Sequence, residues 1–158
     1  MMHTNDNKLM ILLQSEWILI DASVATLLHS VEKCKSIGIK RNYSFEEQES
    51  FDSLTSKFNR TSDLFTQKIL RTTWMLLHES FVPFIDLLHT AEKLGILANA
   101  DQMMAIRDVR NQIAHEYIPE AICESNLYNF PEVIEMTQQL VDNINCCNGF
   151  LKNRNWIN

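Results

Sequence analysis

Residues 9–28 read LMILLQSEWILIDASVATLL. Apolar side chains fill most of this stretch, and Ile11, Ser15, Ile18, Ala22, Ala25 and His29 follow a spacing of three or four, the period of an α-helix. The apolar residues extend well beyond that single stripe. A helix this apolar is wrapped by neighbours on several sides, either as the centre of a bundle or against another subunit. Gln14, Ser15, Glu16 and Asp21 make the stretch too polar for a comfortable membrane span. The helix is therefore expected to run from about Asn7 to Lys35 and to stop by Gly38.

The remaining segments agree with that start. Only three Gly and three Pro interrupt 158 residues, 46% of which are hydrophobic, so a few long helices around one real core are expected rather than disorder. Ser44-Phe45-Glu46-Glu47 has the form of a capping box and opens a second helix. Near Asn59-Arg60-Thr61-Ser62-Asp63 that helix restarts or carries a polar interruption, and Leu64 to Leu76 continue the pattern. Pro83 begins a third helix that ends at Leu94 with Gly95 as its stop. Asn99 or Asp101 caps a fourth, from about Ala100 to Tyr117, and Pro119 opposes its continuation. A last helix is expected from about Pro131 to Phe150. No segment alternates like a strand. The expected fold class is all-α, an up-and-down bundle of four to five helices in a single domain over residues 1–158, with disorder confined to the extreme N-terminus and the last few residues.

Within the fourth helix stand Arg110-Asn111-Gln112-Ile113-Ala114-His115-Glu116-Tyr117. A permanent guanidinium charge and an imidazole that titrates near neutral pH are what cleavage of a phosphodiester requires. On an ideal helix at about 100° per residue, Ile106, Val109, Ile113 and Tyr117 share the core face and Arg110 lies at its edge, roughly 40° from Ile106. Arg107, Asn111 and His115 align near 100°, 140° and 180°, so the Asn111 amide can orient the imidazole. Arg110 and His115 are thus about 140° apart and converge on one phosphate only if the helix end bends or two copies face each other across a two-fold axis. His115 would take the 2′-hydroxyl proton or protonate the leaving 5′-oxygen, while Arg110 neutralises charge on the phosphorane-like transition state. Tyr117 either contacts phosphate or closes the core.

Charge limits the range of partners. Fourteen basic against twenty acidic residues give a net charge of −6, so RNA contact must be local. The one basic stretch contains Lys57, Arg60, Lys68 and Arg71 against Asp63. Lys68, Arg71 and Arg107 are the candidate RNA-binding cations, although a charged run of this kind is also what a solvated helix face looks like. Cys34, Cys123, Cys146 and Cys147 have neither C-x-x-C nor zinc spacing, and no basic, cleavable leader opens the chain, which suggests a reduced, cytoplasmic protein without a membrane span. His78-Glu79 does not extend to H-E-x-x-H, and Asp86, His89 and Glu92 read better as a solvated face than as a metal site. No phosphate loop, nucleophile elbow or dinucleotide fingerprint is present. Trp17, Trp74 and Trp156 read as core or interface residues rather than a base-stacking platform. No cofactor or metal is expected.

Arg110-Asn111-x-x-x-His115-x-Tyr117 resembles the signature of the HEPN superfamily, the higher-eukaryote and prokaryote nucleotide-binding helical domains. The similarity is nearest to the toxins encoded beside a minimal nucleotidyltransferase antitoxin. Residues 58–71 and Ala91-Glu92-Lys93-Leu94-Gly95-Ile96-Leu97 also resemble the helices preceding the signature in those toxins. The resemblance covers most of residues 55–120 and is diffuse elsewhere. It implies an HEPN-like bundle, a homodimer and a metal-independent endoribonuclease toxin with Arg110 and His115 catalytic and Asn111 supporting them. It also implies an antitoxin that transfers AMP from ATP to Tyr117 and silences the nuclease. Two other readings compete. One is a non-catalytic HEPN dimer that serves as binding or substrate partner of a nucleotidyltransferase. The other is a structural protein in which the motif arose by chance.

Overall fold

A computed structural model of the chain describes the backbone of residues 4–115 and 119–158 and the side chains of residues 4–113 and 131–158. These residues build an all-α bundle with no strand among them. Helix α1 spans Thr4–Ile37. It stops where Gly38 takes a φ of +72°, a left-handed conformation natural to glycine, while its N–H still bonds the Cys34 carbonyl at 3.2 Å.

The face that α1 turns inward differs from the stripe read in the sequence. Leu13, Trp17, Ile20, Leu27, Val31 and Cys34 are buried. Ile11, Ser15, Ile18, Ala22, Ala25 and His29 face outward, with Ile11 68% and Ile18 71% exposed. Both stripes carry apolar residues at helical spacing, so periodicity alone does not choose between them. The helix is covered by its own chain on one side. By length and composition α1 could cross a membrane. Its inner face, however, belongs to the bundle core, where buried Glu16 accepts a 2.6 Å hydrogen bond from the Thr72 hydroxyl.

Helix α2, Phe45–Asp63, packs along α1. Its capping box forms as expected: Ser44 Oγ accepts the Glu47 N–H at 3.1 Å, and Glu47 Oε1 accepts the Ser44 N–H at 2.9 Å. Lys40 pairs with the other Glu47 oxygen. These contacts, the Lys40 hydrogen bond first and the Ser44 N–H second, hold the Glu47 pKa below its ordinary value. Replacing Ser44 with alanine should cost about 1 kcal/mol in chemical denaturation. Because the folded-state pKa of Glu47 is depressed, its contribution is present above the unfolded value near 4.5 and is lost as pH falls through the folded value. The penalty of Glu47→Gln should accordingly shrink in denaturation curves measured toward pH 3.

No restart occurs at residues 59–63. The rod runs on through a π-helical segment, Leu64–Ile69, into α3, Leu70–Leu76. The Leu70 N–H bonds the Phe65 carbonyl, the i to i+5 bond of a π turn. The polar run is absorbed by packing: Thr61 and Ser62 are buried, and the Thr61 hydroxyl lies 2.6 Å from that of Ser23 on α1. Phe51, Leu54, Phe58, Phe65 and Ile69 supply the apolar face of this rod.

Helix α4, Phe84–Lys93, ends in a Schellman motif. Gly95, at φ +83°, donates to the Glu92 carbonyl at 3.1 Å, and Ile96 donates to that of Ala91 at 2.9 Å. Helix α5, Ala100–His115, is capped by Asn99, whose Oδ1 accepts the Gln102 N–H at 2.9 Å. Glu92 Oε1 takes the Ala100 N–H and the buried Asn143 Oδ1 takes the Asn99 N–H, both at 3.0 Å, so α4 and α6 together fix where α5 begins.

Helix α6, Pro119–Asn153, begins twelve residues before the expected start, and Pro131 lies inside it. Pro119 suits the first turn of a helix, where no N–H is needed. An interior Pro such as Pro131 costs ~3 kcal/mol, which the packing of Val133, Leu140, Ile144, Cys147 and Leu151 into the core can offset. The last residues are not loose either. Ile157 is buried, the Trp156 carbonyl accepts from Gln14 at 3.3 Å, and the Arg154 guanidinium sits over the Phe150 and Trp156 rings.

Candidate functional site

The site grows from the outer side of α5. Met103, Ile106 and Val109 are buried, which anchors the helix and turns Arg107, Arg110 and Asn111 toward the α2–π rod. There Arg110 meets Asp63, the last residue of α2. Its Nε and Nη2 donate to the two carboxylate oxygens, both at 2.8 Å. The pair is part-buried, with about 30% of each side chain exposed (29% and 31%). Hydrogen bonding to Asp63 raises the Arg110 pKa above its already high ordinary value, against a smaller opposing effect of burial. The guanidinium is thus a fixed, permanent charge.

Arg110 and Asp63 lie in a cleft of about 350 Å³ whose other walls include Ser62, Thr66, Gln67, Arg71, Phe84, Arg107 and Asn111. A π turn uses more residues per turn than an α turn. Residues four apart, Asp63, Gln67 and Arg71, therefore stay on one side of the rod and all reach this cleft. Arg107 is steadied by the Phe84 ring, with its guanidinium carbon 4.9 Å from the ring centre. Among the described residues, three guanidinium groups against one carboxylate make a locally cationic cleft in a chain of net charge −6. Forked donors of this kind match phosphate oxygens.

A second groove, about 710 Å³ and mostly apolar, runs between α1 and the rod. Leu19, Ala22, Ser23 and Thr26 line it on the α1 side, and Arg60, Leu64 and Lys68 on the other. Asp63 and Gln67 line both cavities, so the two are neighbours. Of the expected cations, Arg71 and Arg107 join Arg110 and Asn111 in one cleft, and Lys68 stands in the neighbouring groove. His115 closes α5. Its side chain and the whole of Tyr117 lie outside the described residues, as does any contact between Asn111 and the imidazole.

Sequence reading missed Asp63 as a partner of Arg110, along with Thr66, Gln67 and Phe84. Asp63 counted only as an offset within a basic run, and a pair 47 positions apart leaves no periodic trace. Elsewhere, no three His, Cys, Asp or Glu side chains among the described residues come together as a metal-binding group. Asp86, His89 and Glu92 lie on an exposed face, and Glu92 is occupied in holding the start of α5. Burial pushes the Cys34 thiol up to about 11 and raises Cys146 and Cys147 as well, which keeps these three in the thiol form at neutral pH. Trp17 and Trp74 are core residues.

Against known proteins, the chain matches no family model, no curated protein and no solved structure.

Proposed function

We propose that the arginine cleft is the phosphate-binding part of a metal-independent endoribonuclease site, in a cytoplasmic HEPN-type toxin that works as a homodimer. The observation that carries this reading is the gathering of Arg71, Arg107, Arg110 and Asn111 around one cleft of an otherwise acidic chain. Arg110 stabilises the charge that builds on the phosphorus as the ribose 2′-oxygen attacks and the 5′-oxygen leaves. His115, one helical turn beyond Asn111, moves the proton between those two oxygens. Arg71, Arg107 and Lys68 hold neighbouring phosphates. A nucleotidyltransferase antitoxin silences the enzyme by transferring AMP from ATP to the Tyr117 hydroxyl, with pyrophosphate leaving.

The second subunit seats on the outer stripe of α1. From Ile11 through Ser15, Ile18 and Ala22 to Ala25 the stripe itself carries no charge, though exposed Asp21 flanks it, and it is about 21 Å long at 1.5 Å per residue. An exposed apolar strip of this kind marks an interaction surface. Its occupant is another copy of this chain. Ala22 belongs to the stripe and, with its neighbours Leu19 and Thr26, to a wall of the groove that adjoins the arginine cleft, so a two-fold mate stands beside the site it must complete. Lipid is a poor alternative, since entering a membrane would strip α1 from its own core and expose Glu16. Ile18→Asp should convert a dimer to a monomer in analytical ultracentrifugation at micromolar concentration and should lower cleavage at least tenfold. A wild-type monomer would remove this part of the proposal.

The reading as a non-catalytic partner of a nucleotidyltransferase draws on one fact, that Arg110 is already bound to a carboxylate. Substrate chemistry separates the two. A nuclease of this mechanism cuts an RNA oligonucleotide and leaves intact the same sequence carrying 2′-deoxyribose at the cut position. A binding partner cuts neither.

A further inference from the structure

We infer that Asp63 is a positioning residue, which holds Arg110 by one edge so that the opposite edge faces the phosphate. The inference rests on the ribonuclease reading and assigns within it a role to a residue that the motif does not contain. A guanidinium has five N–H donors in one plane. Asp63 engages Nε and one hydrogen of Nη2, both at 2.8 Å, and does not use the edge formed by Nη1 and the rest of Nη2. That edge alone can grip two oxygens of a phosphate. Binding by Asp63 is therefore compatible with binding of substrate and removes rotational freedom from a long side chain before substrate arrives.

Three further observations support orientation over simple charge pairing. Asp63 is the last α-helical residue before the π turn, so its backbone is fixed by the buried Phe65 and by Thr66, whose hydroxyl bonds the Ser62 carbonyl at 2.8 Å. Among the described residues it is the only acid lining the cleft, beside three arginines. A carboxylate in a site for a polyanion opposes ground-state binding, so its presence there calls for a compensating role. Both cavities also share Asp63, which places the oriented arginine where they meet.

The role predicts a split that neither a structural contact nor an inhibitory latch would produce. Asp63→Asn keeps the side-chain shape and removes the charge. Affinity for a non-cleavable 2′-deoxy oligonucleotide should rise roughly threefold, as expected for one repelling charge ~6 Å away in water. In the same variant kcat for the ribo-oligonucleotide should fall about 10- to 100-fold, because the arginine is no longer held in the attacking geometry. An unchanged kcat would overturn the inference, and a raised kcat would show a latch in its place.

An arm independent of activity uses the wild-type protein with nitrogen-15 arginine. The Arg110 Nε–H signal should be sharp and slow to exchange, and it should broaden in Asp63→Asn. A mobile Nε–H in the wild type would refute positioning even if the variant failed to fold. A fixed Nε–H in a wild type that cleaves no RNA would instead count against the ribonuclease reading and leave the geometry standing.

Discussion

Arg110→Ala should lower kcat for RNA cleavage by about 100- to 1000-fold, the loss typical of removing one pre-oriented donor to developing negative charge. The fold should survive. The Arg110–Asp63 pair is about one-third exposed, and pairs of that kind contribute on the order of 1 kcal/mol or less once water screens them. KM should change far less than kcat, since Arg71, Arg107 and Lys68 still attract the phosphate backbone. Arg110→Lys should recover little, because an ammonium cannot hold a carboxylate along one edge and a phosphate along the other. Steady-state kinetics on one oligonucleotide, beside thermal melts of each variant, checks all four statements. A loss confined to KM would reduce Arg110 to one cation among several.

Phe65→Ala should produce the largest loss of stability, about 3 to 5 kcal/mol by urea denaturation, with the melting temperature lowered by roughly 10 °C. Phe65 has no exposed surface, belongs to the π segment and accepts through its carbonyl the bond that closes the π turn at Leu70. Its removal opens a cavity where α1, the rod and the rest of the core meet, at a point where the backbone already departs from α geometry. Asp63 lies two residues away, so near the new midpoint activity should fall before global unfolding. A cost below 1 kcal/mol would mean that the π segment is not held by its packing.

Local signals in the sequence translated well. Gly38 and Gly95 end helices in left-handed conformations, Ser44 forms its capping box and Asn99 caps α5. Each depends on a side chain or backbone freedom within a few residues of the effect, so a short window contains the cause. The inner face of α5 was equally legible, since Ile106 and Val109 are apolar against a polar opposite side.

What did not read through depends on tertiary packing. Alpha1 carries apolar residues on both sides, and only packing against α2, the π segment, α3 and α6 decides that Leu13 and Ile20 turn inward while Ile11 and Ile18 turn out. The polar run at residues 59–63 left restart and continuation both open because its partner, Ser23, is 38 positions from Thr61. Pro131 looked like a helix start because the contacts that tolerate it lie elsewhere in the fold. For the site, chemistry preceded geometry. Arg71, Arg107, Arg110 and Asn111 stood out by type and spacing, but the pairing of Arg110 with Asp63 and the division of the cations between two cavities required the fold.

The most direct measurement is RNA cleavage by purified protein in excess EDTA, wild type beside His115→Ala, with the product ends identified. Cleavage by the wild type alone, leaving a 2′,3′-cyclic phosphate or its hydrolysis product and a 5′-hydroxyl, is the predicted result. Equal cleavage by both proteins, or none by the wild type across several classes of RNA, would contradict it and leave the arginine cleft as a docking site.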